Sequence, residues 1–146
     1  MIDTNDSTVL RAESKRHVAV SADAAWAAVA GFGGIGQWHP AVVTCEVRNE
    51  RGSSFRTLTL GNGAVLLEKL VASDEGGRNY SYTIEEGPLP VSDYRSTLKV
   101  AALGDGATLE WDGSFKAAGV PNADAIALIT GIYDAGLDSL VARLSK

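Results

Sequence analysis

From Val9 to Val20 apolar and polar residues alternate. Leu10, Ala12, Ser14, Val18 and Val20 share one parity, and Arg11, Glu13, Lys15 and His17 the other. A period of two predicts a strand with one buried face, broken only at Arg16. Ser21 then offers a helix N-cap and Asp23 an acidic first turn. Ala22 to Val29 reads as a short helix with Trp26 and Val29 on its buried stripe, ended by Gly31. A glycine-rich stretch leads to Gln37-Trp38-His39-Pro40, where a second short helix stops before the proline.

After Pro40 the period of two returns and persists. Val43, Cys45 and Val47 alternate with Thr44, Glu46 and Arg48 up to a turn at Arg51-Gly52-Ser53. Phe55 to Leu60 and Ala64 to Ala72 read as two strands joined by a Gly61-Asn62-Gly63 hairpin. Beyond the Asp74 to Gly77 turn, Asn79 to Glu86 carries Tyr80, Tyr82 and Ile84 on one face. Gly87-Pro88-Leu89-Pro90 makes a stiff connection. Ser92 to Ala101 then sets Tyr94, Ser96, Leu98 and Val100 against Asp93, Arg95, Thr97 and Lys99. In the last strand, after Gly104-Asp105-Gly106, Leu109, Trp111 and Phe115 oppose Glu110, Asp112, Ser114 and Lys116.

From Asn122, a candidate cap, the period becomes that of a helix. Ile126, Ile129, Tyr133, Leu137, Leu140 and Leu144 form its apolar stripe. Gly131 and Gly136 interrupt it, each costing about 1 kcal/mol against alanine. They either make room for something or allow close sheet contact.

The order predicts an α+β fold in one domain, residues 1–146: a seven-stranded curved antiparallel sheet around a long C-terminal helix, with two short helices after the first strand. One helix stripe cannot fill a strongly twisted sheet along its whole length. A cavity between the two is therefore expected, walled by aromatics with polar tips that suit a small amphipathic guest.

Composition narrows the function. Hydrophobic residues are 45 % and charged ones 21 % of the 146, as in an ordinary globular domain. No apolar run reaches the roughly 18 residues of a bilayer span, so membrane insertion is not expected. Met1 to Lys15 lacks the pattern of a signal peptide, which leaves the cytoplasm as the default location and the sequons at Asn5 and Asn79 unused. A net charge of −5 without a basic cluster argues against nucleic acid. Cys45 is the only cysteine, with His17 and His39 the only histidines, so neither a disulfide nor a Cys/His zinc site is expected. Cys45 itself reads as a buried thiol. No metal or cofactor is implied, and a homodimer is left open.

Several strings carry a family resemblance. Trp26 lies in the first helix, Trp38 and Pro40 at the second, and Glu68-Lys69-Leu70 on a central strand. Leu89-Pro90 precedes Asp93-Tyr94-Arg95-Ser96, and the long helix follows. Together they resemble the START-like, or SRPBCC, superfamily. That group includes the birch-pollen allergen family, polyketide cyclase/dehydrase-like proteins and the plant abscisic acid receptors. The resemblance covers nearly the whole chain and implies the helix-grip fold. Glu68 to Ser96 is similar in spacing to the abscisic acid receptors, whose loops matching Gly61 to Gly63 and Gly87 to Val91 act as gate and latch. The first loop here lacks their gate proline and the second their His-Arg pair. The bacterial cyclase/dehydrase-like branch is the nearer likeness.

Glu68 is the sharpest candidate for chemistry. Leu66 and Leu70 share its parity, so its carboxylate points inward and needs a partner. A three-residue loop at Gly61 to Gly63 sets Arg56 opposite Glu68, whereas a two-residue turn would set Thr57 there. Tyr82, Tyr94 and Ser96 share the inner face, and Trp111 reads as wall. Trp38 and His39 lie near the mouth, where His39 serves either proton transfer or a local cap. The expected ligand-contacting set is Arg56, Leu58, Leu66, Glu68, Tyr82, Ile84, Tyr94, Ser96, Trp111, Trp38 and Tyr133, with Glu68 and Tyr94 as candidate acid/base groups. Gly31 to Gly36 fits GxGxxG by letter but follows a helix, so no dinucleotide site is expected. Three functions remain: a binder of a small hydrophobic or aromatic molecule, a cyclase, dehydratase or lyase using Glu68 on a carbonyl compound, and a module that closes its loops over a ligand to dock a partner.

Overall fold

The structure, a computed structural model, describes residues 8–145. The Asn5 sequon and most of the polar N-terminal stretch lie outside the described residues. In chain order the elements are β1 (Leu10–Val18), α1 (Ala22–Val29), a 3-10 turn (Phe32–Gly34), α2 (Ile35–Trp38), β2 (Val42–Glu50), β3 (Ser53–Leu60), β4 (Val65–Asp74), β5 (Asn79–Glu86), β6 (Val91–Leu103), β7 (Gly106–Ala117) and α3 (Asn122–Leu144). All seven strands form one antiparallel sheet in the order β1-β7-β6-β5-β4-β3-β2. Six of them run as a meander, and β1 closes the far edge against β7. The expected α+β helix-grip architecture is thus present.

The inner face carries the core. Leu58, Leu66, Tyr80, Tyr82, Tyr94, Leu98, Val100, Leu109, Trp111 and Phe115 are all buried there. From the helix side come Ala125, Ile129, Tyr133, Leu137 and Leu140. By length and composition alone α3 is long and apolar enough to cross a membrane, although polar residues interrupt it and no unbroken apolar run reaches that length. Its buried residues face the sheet and α2.

Local details depart from the sequence reading in ways that have physical causes. Arg16 keeps the inner parity of β1, but it ends beside α3, where it meets Asp138 at 2.7 Å and Asp134 at 3.3 Å. Ser14 also donates to Asp134. Gly31 does not end α1 with a left-handed cap: its φ is −70°, and Ala30 closes the helix onto the Trp26 carbonyl. Pro121, not Asn122, occupies the N-cap position of α3, and Asn122 is its first helical residue. On α3 the small residues Ala125 and Gly136 are buried, while Ile126 and Leu144 are only half-buried. Side-chain size was the wrong guide to which face points in. Near the start of β2 a bulge shifts the register, and Val43 and Val47 are left 62 % and 46 % exposed on this edge strand.

The glycine-rich loop lies against β2. A Cβ on Gly33 would strike Val47 at 2.8 Å, and one on Gly36 would touch Cys45 at 3.4 Å. Close packing is what Gly33 and Gly36 serve. The same holds at Gly136, where a Cβ would sit 2.7 Å from both His39 and Trp111 and 3.0 Å from Trp38. Gly131, by contrast, faces open space.

Candidate functional site

The hairpin decides the central pair. Leu60 donates to the Ala64 carbonyl across the Gly61 to Gly63 loop, and Arg56 stands opposite Glu68. The three-residue reading of the turn is therefore the correct one. Arg56 Nε lies 2.7 Å from Glu68 Oε1. Arg56 Nη1 donates to the Phe32 carbonyl at 2.9 Å and more weakly to Tyr80 at 3.4 Å. Arg56 Nη2 has no hydrogen-bond partner among the described residues. The guanidinium instead lies between aromatic faces, 4.2 Å from the Phe32 ring centroid and 4.7 Å from that of Tyr82, a cation–π arrangement that offsets the missing acceptor.

Burial and charge oppose each other in this pair. Burial pushes the Glu68 carboxyl above its ordinary range, and Arg56 beside it only partly offsets that. For Arg56 burial works against the charge, but Glu68 and the tyrosines outweigh it and the group stays protonated.

Glu68 also faces a cavity of about 50 Å³ beneath α3. Leu58, Leu66, Tyr82, Ile84, Tyr94 and Trp111 line it, as the inner-face reading expected. Four expected wall residues do not: Arg56, Ser96, Trp38 and Tyr133 stand behind the lining. Arg56 has the right parity, but its long side chain is covered by Phe32 and is wholly buried. Trp38 is packed against Trp111 and His39. The hollow is thus lined by one carboxylate and phenol groups without the guanidinium.

The phenols are largely occupied with one another. Tyr94 and Tyr133 share a hydrogen bond, Tyr82 lies 3.3 Å from Tyr94, and Tyr133 donates to Ser96 at 3.0 Å. Ser96 accepts from Trp111 Nε1 at 2.9 Å and donates to the Asp112 carbonyl. Gly113 makes room for this: a Cβ there would overlap the Tyr133 hydroxyl. Burial drives the pKa of Tyr82, Tyr94 and Tyr133 upward, so they stay neutral. His39 lines the cavity too, but both ring nitrogens are engaged. Nδ1 accepts from the Ala41 amide at 3.1 Å, and Nε2 faces the Ile132 carbonyl at 2.8 Å. That pattern requires a neutral ring with its proton on Nε2, and burial lowers its pKa accordingly. His39 therefore acts as a local tie between α2 and α3, the second of its two sequence readings. Cys45 is half-buried, and burial pushes its thiol up, away from nucleophilic use. No cluster of metal-ligating side chains is present among the described residues.

The architecture is thus a curved sheet gripping one helix around a mostly apolar hollow. The family model described as polyketide cyclase / dehydrase and lipid transport matches residues 9–145. The chain belongs to this family. Among solved structures it is similar to XoxI from Bacillus cereus, with 28 % identity, a TM-score of 0.88, and coverage of 93 % of this chain and 96 % of that one. A START superfamily protein from Mycobacterium smegmatis is 19 % identical with a TM-score of 0.77, covering 92 % and 97 % of the two chains. The Zhui aromatase/cyclase from Streptomyces sp. R1128 is 16 % identical with a TM-score of 0.77, covering 94 % of each. These last two show the fold alone, which is START-like as expected. No curated protein matches the sequence.

In this polyketide cyclase/dehydrase and lipid transport family member, the sequence reading missed the wall that comes from elsewhere. Ile35, Val42, Leu60, Leu89, Ile129 and Ile132 complete the cavity. Leu60 shares the parity of Leu58, and Ile129 lies on the helix stripe, so both carried a signal. Leu89 lies in the stretch that the family resemblance matched to the latch loop, while Ile35 and Ile132 carried no signal, because helix placement brings them in.

Proposed function

We propose that this protein binds a small, largely apolar molecule in the hollow between the sheet and α3, with Glu68 as its polar contact. One observation carries the reading: a buried carboxylate lines a mostly apolar cavity whose other polar groups are tied up among themselves or to the backbone, while the arginine that neutralises it is sealed behind. A cavity of about 50 Å³ holds little more than water. Pockets for drug-sized ligands measure roughly 300–1,000 Å³, so entry requires the walls to part. Ala41 is exposed and Leu60 and Leu89 are half-buried, which marks the mouth at α2, the β3–β4 hairpin and the β5–β6 connection. Thermal melting against a library of apolar and aromatic metabolites tests the proposal. A cognate compound raises Tm in proportion to its saturation. A library without a single dose-dependent shift would rule the reading out.

A second reading is favoured by the burial-raised carboxyl of Glu68 on the cavity wall that Tyr94 also lines: a cyclase, dehydratase or lyase step in which Glu68 moves a proton on a bound carbonyl compound. With a substrate in hand, Glu68→Gln abolishes turnover and leaves binding largely intact. Turnover that survives the substitution removes Glu68 from the chemistry.

A further inference from the structure

Glu68 has two carboxylate oxygens, and Arg56 takes one. Oε1 takes the Arg56 Nε–H at 2.7 Å. Oε2 accepts no hydrogen bond among the described residues, and Glu68, its side chain 6 % exposed, is one of the residues that line the cavity. The other polar groups on that wall are committed: Tyr82 and Tyr94 to the tyrosine–Trp111 network, and His39 to the backbone on both nitrogens. We infer that the cavity selects a neutral, hydroxyl-bearing ligand, an aromatic or alicyclic alcohol or phenol, whose O–H donates to Glu68 Oε2. The inference rests on the ligand-binding reading above and specifies its chemistry.

Charge decides against the alternatives. Arg56 already balances Glu68, so a ligand ammonium would enter an apolar wall with no uncompensated anion to meet it. A ligand carboxylate would meet the Glu68 carboxylate with no free donor to hold it, because the guanidinium is sealed behind Phe32. A hydrocarbon would leave Oε2 dry and unpaired, which is costly for a charged acceptor. A hydroxyl avoids all three problems, since it donates to the oxygen and brings no charge. Arg56 is here a positioning residue, holding Oε1 so that Oε2 points at the guest.

Four probes of similar size separate the cases: toluene, phenol, benzoate and benzylamine, titrated against the whole protein by protein-observed NMR. Toluene is the most hydrophobic, so burial alone would rank it first. The expected result is phenol binding about tenfold tighter than toluene, in line with a hydrogen bond to a charged group, and benzoate and benzylamine weakest. In the double variant Arg56→Met with Glu68→Leu, which removes the pair as a unit, toluene overtakes phenol. Glu68→Gln keeps an amide oxygen for Arg56 and is the second variant should the double one not fold. There the phenol preference shrinks to roughly threefold or less, because the cavity-facing atom becomes a donor. Toluene at or above phenol in the native protein overturns the inference alone, as does benzoate or benzylamine binding best. A phenol preference that stays at about tenfold in the variants also overturns it. Failure of all four to bind overturns the cavity reading and this inference with it.

Discussion

Arg56 and Glu68 are the residues on which the interior depends. Breaking a buried pair from one side leaves an uncompensated charge, so Glu68→Leu is expected to cost about 3–5 kcal/mol in urea unfolding. Adding Arg56→Met restores most of that loss, because the remaining site is apolar and already surrounded by Phe32, Tyr80 and Tyr82. A double variant no more stable than the single one would show that the pair does not act as a unit. His39 gives a pH dependence with a definite sign. Burial holds its folded pKa below the ordinary value of 6.5. The unfolded chain therefore binds a proton that the folded one refuses. This contribution is fully present above pH 6.5 and is lost as pH falls below it, at up to about 1.4 kcal/mol per pH unit. In His39→Asn, where Oδ1 can still accept from Ala41, the urea midpoint should lose that acidic slope. An unchanged slope would place the titration elsewhere.

At the scale of elements, α3 is held by close approach and by an ionic clasp. Its two glycines separate the roles that the sequence left open. Gly131→Ala meets open space, so it is expected to stabilise by about 0.4–1 kcal/mol through helix propensity and a less free unfolded chain. Gly136→Ala has the same intrinsic gain but drives a methyl into the rings of His39, Trp111 and Trp38. Overpacking of about 1–3 kcal/mol exceeds that gain, and Tm falls. Opposite signs in the two melts check the assignment. The clasp of Arg16 on Asp134 and Asp138 ties β1 to the helix from the partly exposed rim. Arg16→Met should therefore cost only about 0.2–1 kcal/mol and less at high salt.

Taken whole, the molecule is a gripped helix over a hollow that is small because aromatic side chains nearly fill it. Ile84 lines that hollow and is half-buried, so Ile84→Phe has somewhere to go. Stability should change by less than about 1.5 kcal/mol, while phenol binding by NMR falls at least severalfold. Unaltered binding would move the ligand out of this cavity. The strand alternation, the sharp change of period at the last helix and the turn chemistry were enough to read the seven strands, the helix order and the inward Glu68 from the chain itself. The Arg56–Glu68 contact was one of two registers that counting across the hairpin allowed, and only the length of the turn in the structure chose it over Thr57. These are short-range properties, set by steric periods that act within a few residues. How much space stays open, which tyrosine tips are spent on one another, and that Arg56 is sealed behind Phe32 are long-range matters. They depend on how α2, the β5–β6 connection and α3 settle onto the sheet. Close packing fixes such distances jointly for all the elements, and no local stretch of sequence encodes a distance that several elements share.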